Sequence, residues 1–504
     1  MNDFLEDYAV ISTIVVMLGA AFLLILVPQR RPNLVRAVAV VAGLAVFVIS
    51  AGIFAFYDWE DGGLQFQQRF DWLENIGILG EDGITLHFAV DGIAAPLFLL
   101  NGVVTFAGVL VSLKIKERNK DFFILLFVLS SGVFGVFGAQ DLFVFFFWYE
   151  VAVLPMYMLI GIWGSSTDFG TFLRTKEYGA MKLTLMLVGG SVLIFVGIFT
   201  VFVEANLGTF DLPTLGSVEY DENFQKAVFP LFLIGFGTLA GMWPLHTWSP
   251  DGHVAAPTAV SMLHAGVLMK LGAFGILRVG IYLFPVGAAF WMPALLVVGI
   301  IGALYGAVSA FGQRDLKYMI GYSSVSHMGY VLIGLATLNE IGVNGAVLQM
   351  FSHGVMTALF FAVVGSVYDE AHIRDMTRFG GLAKSLPLIA GFMAIAGLTS
   401  LGLPGLSGFV AEFHIFVGLF EDYEWAGVLA VITATITAAY ILRMLAMAFF
   451  GPFNERWDGL PDMRPTEVMG ATLLVAMILF MGLWPDPFVD RISSTVGVFP
   501  GIES

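Results

Sequence analysis

Apolar residues run in blocks of about twenty along the whole chain, each long enough to cross the hydrocarbon core of a bilayer as a helix. The blocks are continuous and do not alternate with polar residues in ten-residue segments, which excludes a transmembrane β-barrel. The length criterion predicts about fourteen spans. They lie near 9–27, 36–57, 92–113, 121–139, 142–162, 180–203, 228–260, 262–284, 291–312, 316–336, 343–367, 387–420, 425–449 and 466–484. The fold class expected is an all-α polytopic membrane protein.

Two of the blocks are interrupted. MWPLHTWSPDGHVAAP (Met242–Pro257) carries three prolines, and GLTSLGLPGLSGFVAEF (Gly397–Phe413) is rich in glycine with one proline. Proline removes a backbone donor and glycine loosens a helix, and freed backbone groups at membrane depth survive only inside protein or beside water. Two breaks five spans apart point to inverted five-helix repeats, spans 4–8 and spans 9–13, with spans 7 and 12 broken. The chain then divides into residues 1–120 (spans 1–3), 121–284 (first repeat), 285–449 (second repeat) and 450–504 (span 14).

Composition agrees with this class. The 504 residues are 58% hydrophobic and 12% charged, against about 25% charged in soluble chains. Mean hydropathy is +0.87. The absence of cysteine excludes thiolate metal sites, cysteine-ligated iron–sulfur clusters and disulfides in this chain. No glycine-rich nucleotide loop follows a strand, and nothing points to nucleic acid. The acidic start MNDFLEDY is unlike a signal peptide, so the first block reads as a retained span. Basic residues gather in alternate loops (Arg30, Arg31 and Arg36; Lys114 to Lys120; Arg174 and Lys176; Arg314 and Lys317; Arg374, Arg378 and Lys384; Arg456 and Arg464), while WEDGG, LGEDG, VEYDEN and LFEDYE fall between them. By the positive-inside rule the basic loops are inner, and both termini are expected on the outer side of a bacterial plasma membrane.

Charges inside spans are costly, about 2.5–3.5 kcal/mol at a helix centre on insertion scales, and are kept mostly where they act. Four stand out. Glu150 lies about nine residues, roughly 13 Å, beyond Asp141. Lys182 lies near the inner end of span 6. Lys270 is central in AGVLMKLGAFGIL, where no acid is near in sequence, and Glu412 follows the second break. A structural ion pair or snorkelling to the interface is the plain alternative for each. His246, His253, His264, His327 and His353 lie on several spans; any one alone is most simply a hydrogen-bonded core residue. As a set beside lysine and glutamate they suit proton exchange near neutral pH. The serines around His327 and His353 (Ser323, Ser324, Ser326 and Ser352) suit water between them, and the histidines have no metal-ligand spacing.

PLHTWSPDGHVAAPTAVSMLHAGVLMK, DLKYMIGYSSVSHMGYVLIG and GLPGLSGFVAEF resemble the antiporter-like subunits of respiratory complex I, over spans 4–13 most clearly. Glutamate at 412, where sister subunits of the L and N types and Mrp-type subunits usually have lysine, places the resemblance with the M type. The resemblance implies fourteen helices, two half-channels and a central proton path through Glu150, Lys270, His327, His353 and Glu412. It implies that NADH, FMN, iron–sulfur clusters and quinone are bound by partner subunits and that L- and N-type subunits and lipid are the neighbours. One departure is notable: the family's seventh-helix lysine is Leu239 here. Lys182 or His264 is the expected substitute beside Glu150. The rival readings are an Mrp-type Na⁺/H⁺ antiporter subunit, a membrane subunit of a hydrogenase- or F420-linked relative, and a structural spacer.

Overall fold

The computed structural model describes residues 2–74, 77, 83–168, 170 and 173–503; most of the LGEDG loop lies outside the described residues. In chain order the principal helices are α1 (Asn2–Leu26), α2 (Pro32–Phe56), α3 (Ala94–Ser112), α4 (Asn119–Gly138), α5 (Leu142–Trp163) and α6 (Lys176–Ala205). They continue with α7 (Glu222–Ala240), α8 (Trp248–Ala255), α9 (Thr258–Ile281), α10 (Pro285–Gly312), α11 (Leu316–Ala336) and α12 (Glu340–Ala371). The last five are α13 (Pro387–Ser400), α14 (Ser407–Asp422), α15 (Glu424–Met444), α16 (Pro465–Leu483) and α17 (Asp486–Val496).

Among the described residues, twelve segments are long and apolar enough to cross a membrane, with α7 and α8 counted as one. The two further expected spans correspond to α11 and to the pair α13–α14. Helix α11 is long enough, with 21 residues, but its serines, glycines, His327 and Lys317 dilute its hydropathy. It is almost wholly buried, so it meets protein where a lipid-facing helix would meet hydrocarbon. Helices α3, α9 and α12 are buried throughout their apolar windows. A helix covered on all sides needs no amphipathic stripe. These four helices are the centre of the bundle, and they carry Lys270, His327 and His353.

Both expected breaks are real. Gly241, at φ +75°, ends α7 by donating its N–H to the Gly237 and Thr238 carbonyls. In the second break Gly402 and Gly405 have φ +72° and +93°, a region open to glycine and costly for other residues. The core helix α9 is itself irregular, with π turns at His264–Leu268 and Ile276–Ile281.

Two β-like junctions are built alike. Asp141 accepts from the Phe143 and Val144 N–H groups at 2.9 and 3.0 Å and caps α5. Asp315 accepts from Lys317 and Tyr318 N–H at 2.8 and 3.1 Å and caps α11. Asp141 pairs antiparallel with Asp211, and Asp315 with Asp375. Asp211 and Asp375 each accept from a threonine hydroxyl close behind, Thr214 and Thr377, at 2.6 Å. Five crossings (α5, α6, α7–α8, α9 and α10) separate the two junctions, so they lie at opposite ends of the bundle.

Two features depart from the sequence reading. The chain is not purely helical: β1 (Gln65–Leu73) and β2 (Ile84–Val90) form an antiparallel hairpin. It docks on the end of the bundle that carries Asp141, where Thr85 N–H donates to Asp141 at 3.1 Å and His87 meets Asp211 at 2.7 Å. Residues 450–504 hold two helices instead of one. The second, α17, packs Phe488 against Phe54, Phe351 and Phe480 at ring distances of 4.8, 4.7 and 5.3 Å.

Candidate functional site: a buried polar row

Lys270 is fully buried on α9. Its ammonium does have a partner close in sequence, contrary to expectation. The π turn exposes the Ala265 carbonyl, and Lys270 Nζ donates to it. Its second partner is His353 Nδ1 on α12, at 2.7 Å. A donor on that nitrogen leaves the neutral ring with its proton on Nε2, an atom without a hydrogen-bond partner.

His353 and His327 have ring centroids 5.3 Å apart. His327 is held from three sides. Nε2 meets Ser400 Oγ at 3.0 Å, Gln349 Nε2 meets Nδ1 at 3.1 Å, and the carboxylate of Glu412 lies 3.4 Å from Nδ1. If the Gln349 amide donates, the neutral ring carries its proton on Nε2 and presents a lone pair on Nδ1. The Gln349 carbonyl oxygen is without a partner, so a rotated amide would accept from a protonated Nδ1. The break between α13 and α14 places Ser400 and Glu412 here: a Cβ on Gly402 would lie 2.9 Å from Glu412 Oε2. Lys270, His353, His327 and Glu412 thus form one row through the bundle centre.

Lys182 is not in that row and does not pair with Glu150. Its ammonium is 2.8 Å from Asp251 Oδ2 on α8, which also meets Arg174 at 3.2 Å, while Tyr318 donates to Asp251 Oδ1 at 3.0 Å. The interrupted seventh span turns Asp251 toward the N-terminal end of α6, within ion-pair distance of Lys182. His264 does not pair with Glu150 either; it stacks between Trp248, at 5.2 Å, and His253, at 4.0 Å. Among the described residues no ion pair involves Glu150; Ser191 on α6 donates its hydroxyl to the Val188 carbonyl at 3.0 Å. Leu239 is fully buried. His246 lies apart, its ring 4.9 Å from Tyr305. Ser323, Ser324, Ser326 and Ser352 bond to Tyr440, the Ile320 and Ala303 carbonyls and Ser407, leaving Ser400 as the serine on His327.

Sequence reasoning missed Asp251, Ser400 and Gln349. It also missed the pair Arg278–Asp91, whose side chains are 5% and 2% exposed; Asp91 caps α3 as well. Outside the spans, burial lifts the Asp141 carboxyl to about 6, while its bonds to the Val144, Thr85 and Phe143 N–H groups act the other way. Asp211 ends below its ordinary value: burial acts upward but is outweighed by the bonds to His87 and Thr214.

A multi-pass bundle with two interrupted spans and a titratable row at its centre defines an antiporter-like membrane subunit. Residues 139–437 match the NADH:quinone oxidoreductase/Mrp antiporter transmembrane family, and the chain belongs to that family. It is 36% identical to NAD(P)H-quinone oxidoreductase chain 4 of Acaryochloris marina, covering 91% of this chain and 85% of the relative. The chain 4 protein of Synechococcus sp. strain JA-3-3Ab is also 36% identical, covering 96% and 91%. A chain of respiratory complex I from Thermus thermophilus superposes with a TM-score of 0.86 at 26% identity, covering 97% and 98%. A chain of the Mrp complex from Dietzia sp. has the same fold, with a TM-score of 0.85 at 19% identity, covering 98% and 97%. Within the family the chain sides with the chain 4, or M-type, subunits of complex I, and is accordingly one subunit of an oxidoreductase complex.

Proposed function

We propose that this chain translocates protons in the membrane arm of an NADH:quinone oxidoreductase, driven by quinone reduction in partner subunits. The observation that supports this most is the row from Lys270 through His353 and His327 to Glu412, with its 2.7 and 3.4 Å contacts. The Lys270 ammonium passes its proton to His353 Nδ1. The His353 imidazolium then gives up its Nε2 proton toward His327, whose ring lies 5.3 Å away, and His327 gives its proton to the Glu412 carboxylate; His353 is left with its proton on Nδ1 and accepts again once its ring has returned to the Nε2–H form. Each transfer leaves the donor neutral or free to be reloaded, and the groups titrate as a coupled set. Glu150 acts on the set from outside the row, where its charge biases the Lys270 ammonium.

NADH, FMN, iron–sulfur clusters and quinone belong to partner subunits in this reading, and L- and N-type subunits flank the chain. The enzyme sits in a bacterial inner membrane with both termini on the outer side. The resemblance to chain 4 proteins along nearly the whole length favours this over an Mrp-type antiporter. Lys270→Ala and Glu412→Gln test it in sealed inverted membranes. Proton pumping and donor oxidation fall together while the chain stays in the complex; normal pumping in both refutes the reading.

A further inference from the structure

We propose that the Gln349 amide is a rotating hydrogen-bond partner of His327, bonding the ring in both of its protonation states, so that a single nitrogen, Nδ1, takes up and delivers the proton bound for Glu412. Gln349 is then a positioning residue, and the proposal rests on the row described above.

His327 is 1% exposed, and its two nitrogens stand in different surroundings. Nε2 is engaged by Ser400 Oγ at 3.0 Å. Nδ1 faces two groups at once, the Gln349 amide nitrogen at 3.1 Å and Glu412 Oε1 at 3.4 Å. Gln349 and His353 are four residues apart on α12 and so share one face of it. Both meet His327 there. An amide nitrogen only donates, and an amide oxygen only accepts. With its nitrogen toward the ring, Gln349 satisfies a neutral His327 with a bare Nδ1. With its oxygen toward the ring, it satisfies the imidazolium.

The far end of the amide is what permits the exchange. Gln349 is also 1% exposed, and its carbonyl oxygen has no hydrogen-bond partner among the described residues. Buried polar side-chain atoms are bonded in the large majority of cases, so this one is conspicuous beside a titratable ring. A half-turn about the last side-chain bond swaps oxygen and nitrogen and breaks nothing at the oxygen's end. Only the bond to Nδ1 is lost, and a protonated Nδ1 replaces it with a stronger, charge-assisted one. The neighbouring hydroxyls are committed elsewhere. Ser326 donates to the Ala303 carbonyl and Ser352 to Ser407, each at 2.8 Å. The titratable groups facing His327 are His353 of α12, Glu412 of α14 and Tyr330 of α11. Tyr330 is fixed by donating to the Ala430 carbonyl at 3.1 Å.

The transfer is balanced. The proton leaving His353 adds to His327 Nδ1 as the amide turns its oxygen to accept the new N–H. Delivery breaks that N–H bond and forms an O–H bond on the Glu412 carboxylate, and the amide nitrogen turns back to Nδ1. Nε2 keeps its proton and its bond to Ser400 throughout, so His327 works without a ring flip.

The test uses the complete complex in sealed inverted membranes, with Gln349→Met and Gln349→Glu beside Glu412→Gln. Pumping is read as a ratio to wild type at each pH from acid to alkaline. Methionine is close to glutamine in length but is a weak acceptor and no donor. Gln349→Met is expected to lower pumping about tenfold at every pH, because neither state of the ring keeps its partner. A protonated carboxyl group has a donor and an acceptor, as the amide has, whereas an ionised one only accepts and holds the proton on His327. Gln349→Glu is therefore expected to pump near the wild-type rate at acid pH and to lose about tenfold as pH rises. A packing role would leave that ratio unchanged with pH. Gln349→Met pumping within twofold of wild type while Glu412→Gln is inactive overturns the rotating partner and leaves the row standing. A pH-independent ratio for Gln349→Glu overturns it as well, and decides the matter where the methionine variant fails to assemble. Normal pumping in Glu412→Gln overturns the row and this proposal with it.

Discussion

Asp251 is the carboxylate whose removal has the clearest structural consequence. Asp251→Asn leaves the Lys182 and Arg174 cations without their shared negative partner, and leaves Tyr318 donating to a neutral amide. Hydrogen bonds to charged groups contribute about 1.5–3 kcal/mol each. The Lys182 and Arg174 side chains are 23% and 31% exposed, so water recovers part of the loss. The expected destabilisation is about 2–4 kcal/mol, below the upper end for a fully buried pair. Lys182→Met in the same background removes one stranded ammonium, and the two changes should couple by about 1–3 kcal/mol. Thermal denaturation of the detergent-solubilised complex, followed by retention of this chain, measures both. Asp251→Asn melting with wild type, or a double variant whose losses simply add, would refute the assignment of Lys182 to Asp251.

Two further outcomes follow from single positions. Gly402→Ala puts a methyl group 2.9 Å from Glu412 Oε2 and a side chain in left-handed backbone. The cost is about 1–2 kcal/mol, and pumping should fall more than the stability of the complex does, as read by vesicle acidification against thermal retention. Asp141 and Asp211 act on stability in opposite senses with pH. Asp141, raised from 3.8 to about 6, contributes stability that is complete below about pH 4 and lost as pH rises through about 6, a span of roughly 3 kcal/mol. Asp211, lowered by its bonds to His87 and Thr214, contributes stability present above the ordinary carboxylate range and lost as pH falls through its own value. Melting curves of wild type and Asp141→Asn between pH 4 and 7 check this: the variant should be less sensitive to rising pH across that interval.

Much of the bundle was legible because bilayer thickness dictates block length, and the two breaks announced themselves by proline and glycine. The types and helices of Lys270, His327, His353 and Glu412 could be read because an ionisable residue in an apolar block is conspicuous. What failed was pairing across helices. Nothing local told Lys182 that Asp251 would be its partner, since the turn through Gly241 decides where α8 points. Gln349 and Ser400 escaped notice because neutral polar residues are common in buried helices. The hairpin had a usable signal: ITLHFAV alternates apolar with Thr85 and His87 and is bounded by glycine and aspartate. Being short and set between long apolar blocks, it read as loop.

The central claim is that Lys270 carries protons along the row. Proton pumping measured with electron-donor oxidation in inverted membranes of a Lys270→Ala strain tests it most directly. The account predicts that both rates collapse while the complex stays assembled, because His353 no longer receives a proton at the 2.7 Å contact. Normal rates for both would make the buried lysine a structural charge held by Ala265 and His353, and would contradict the account.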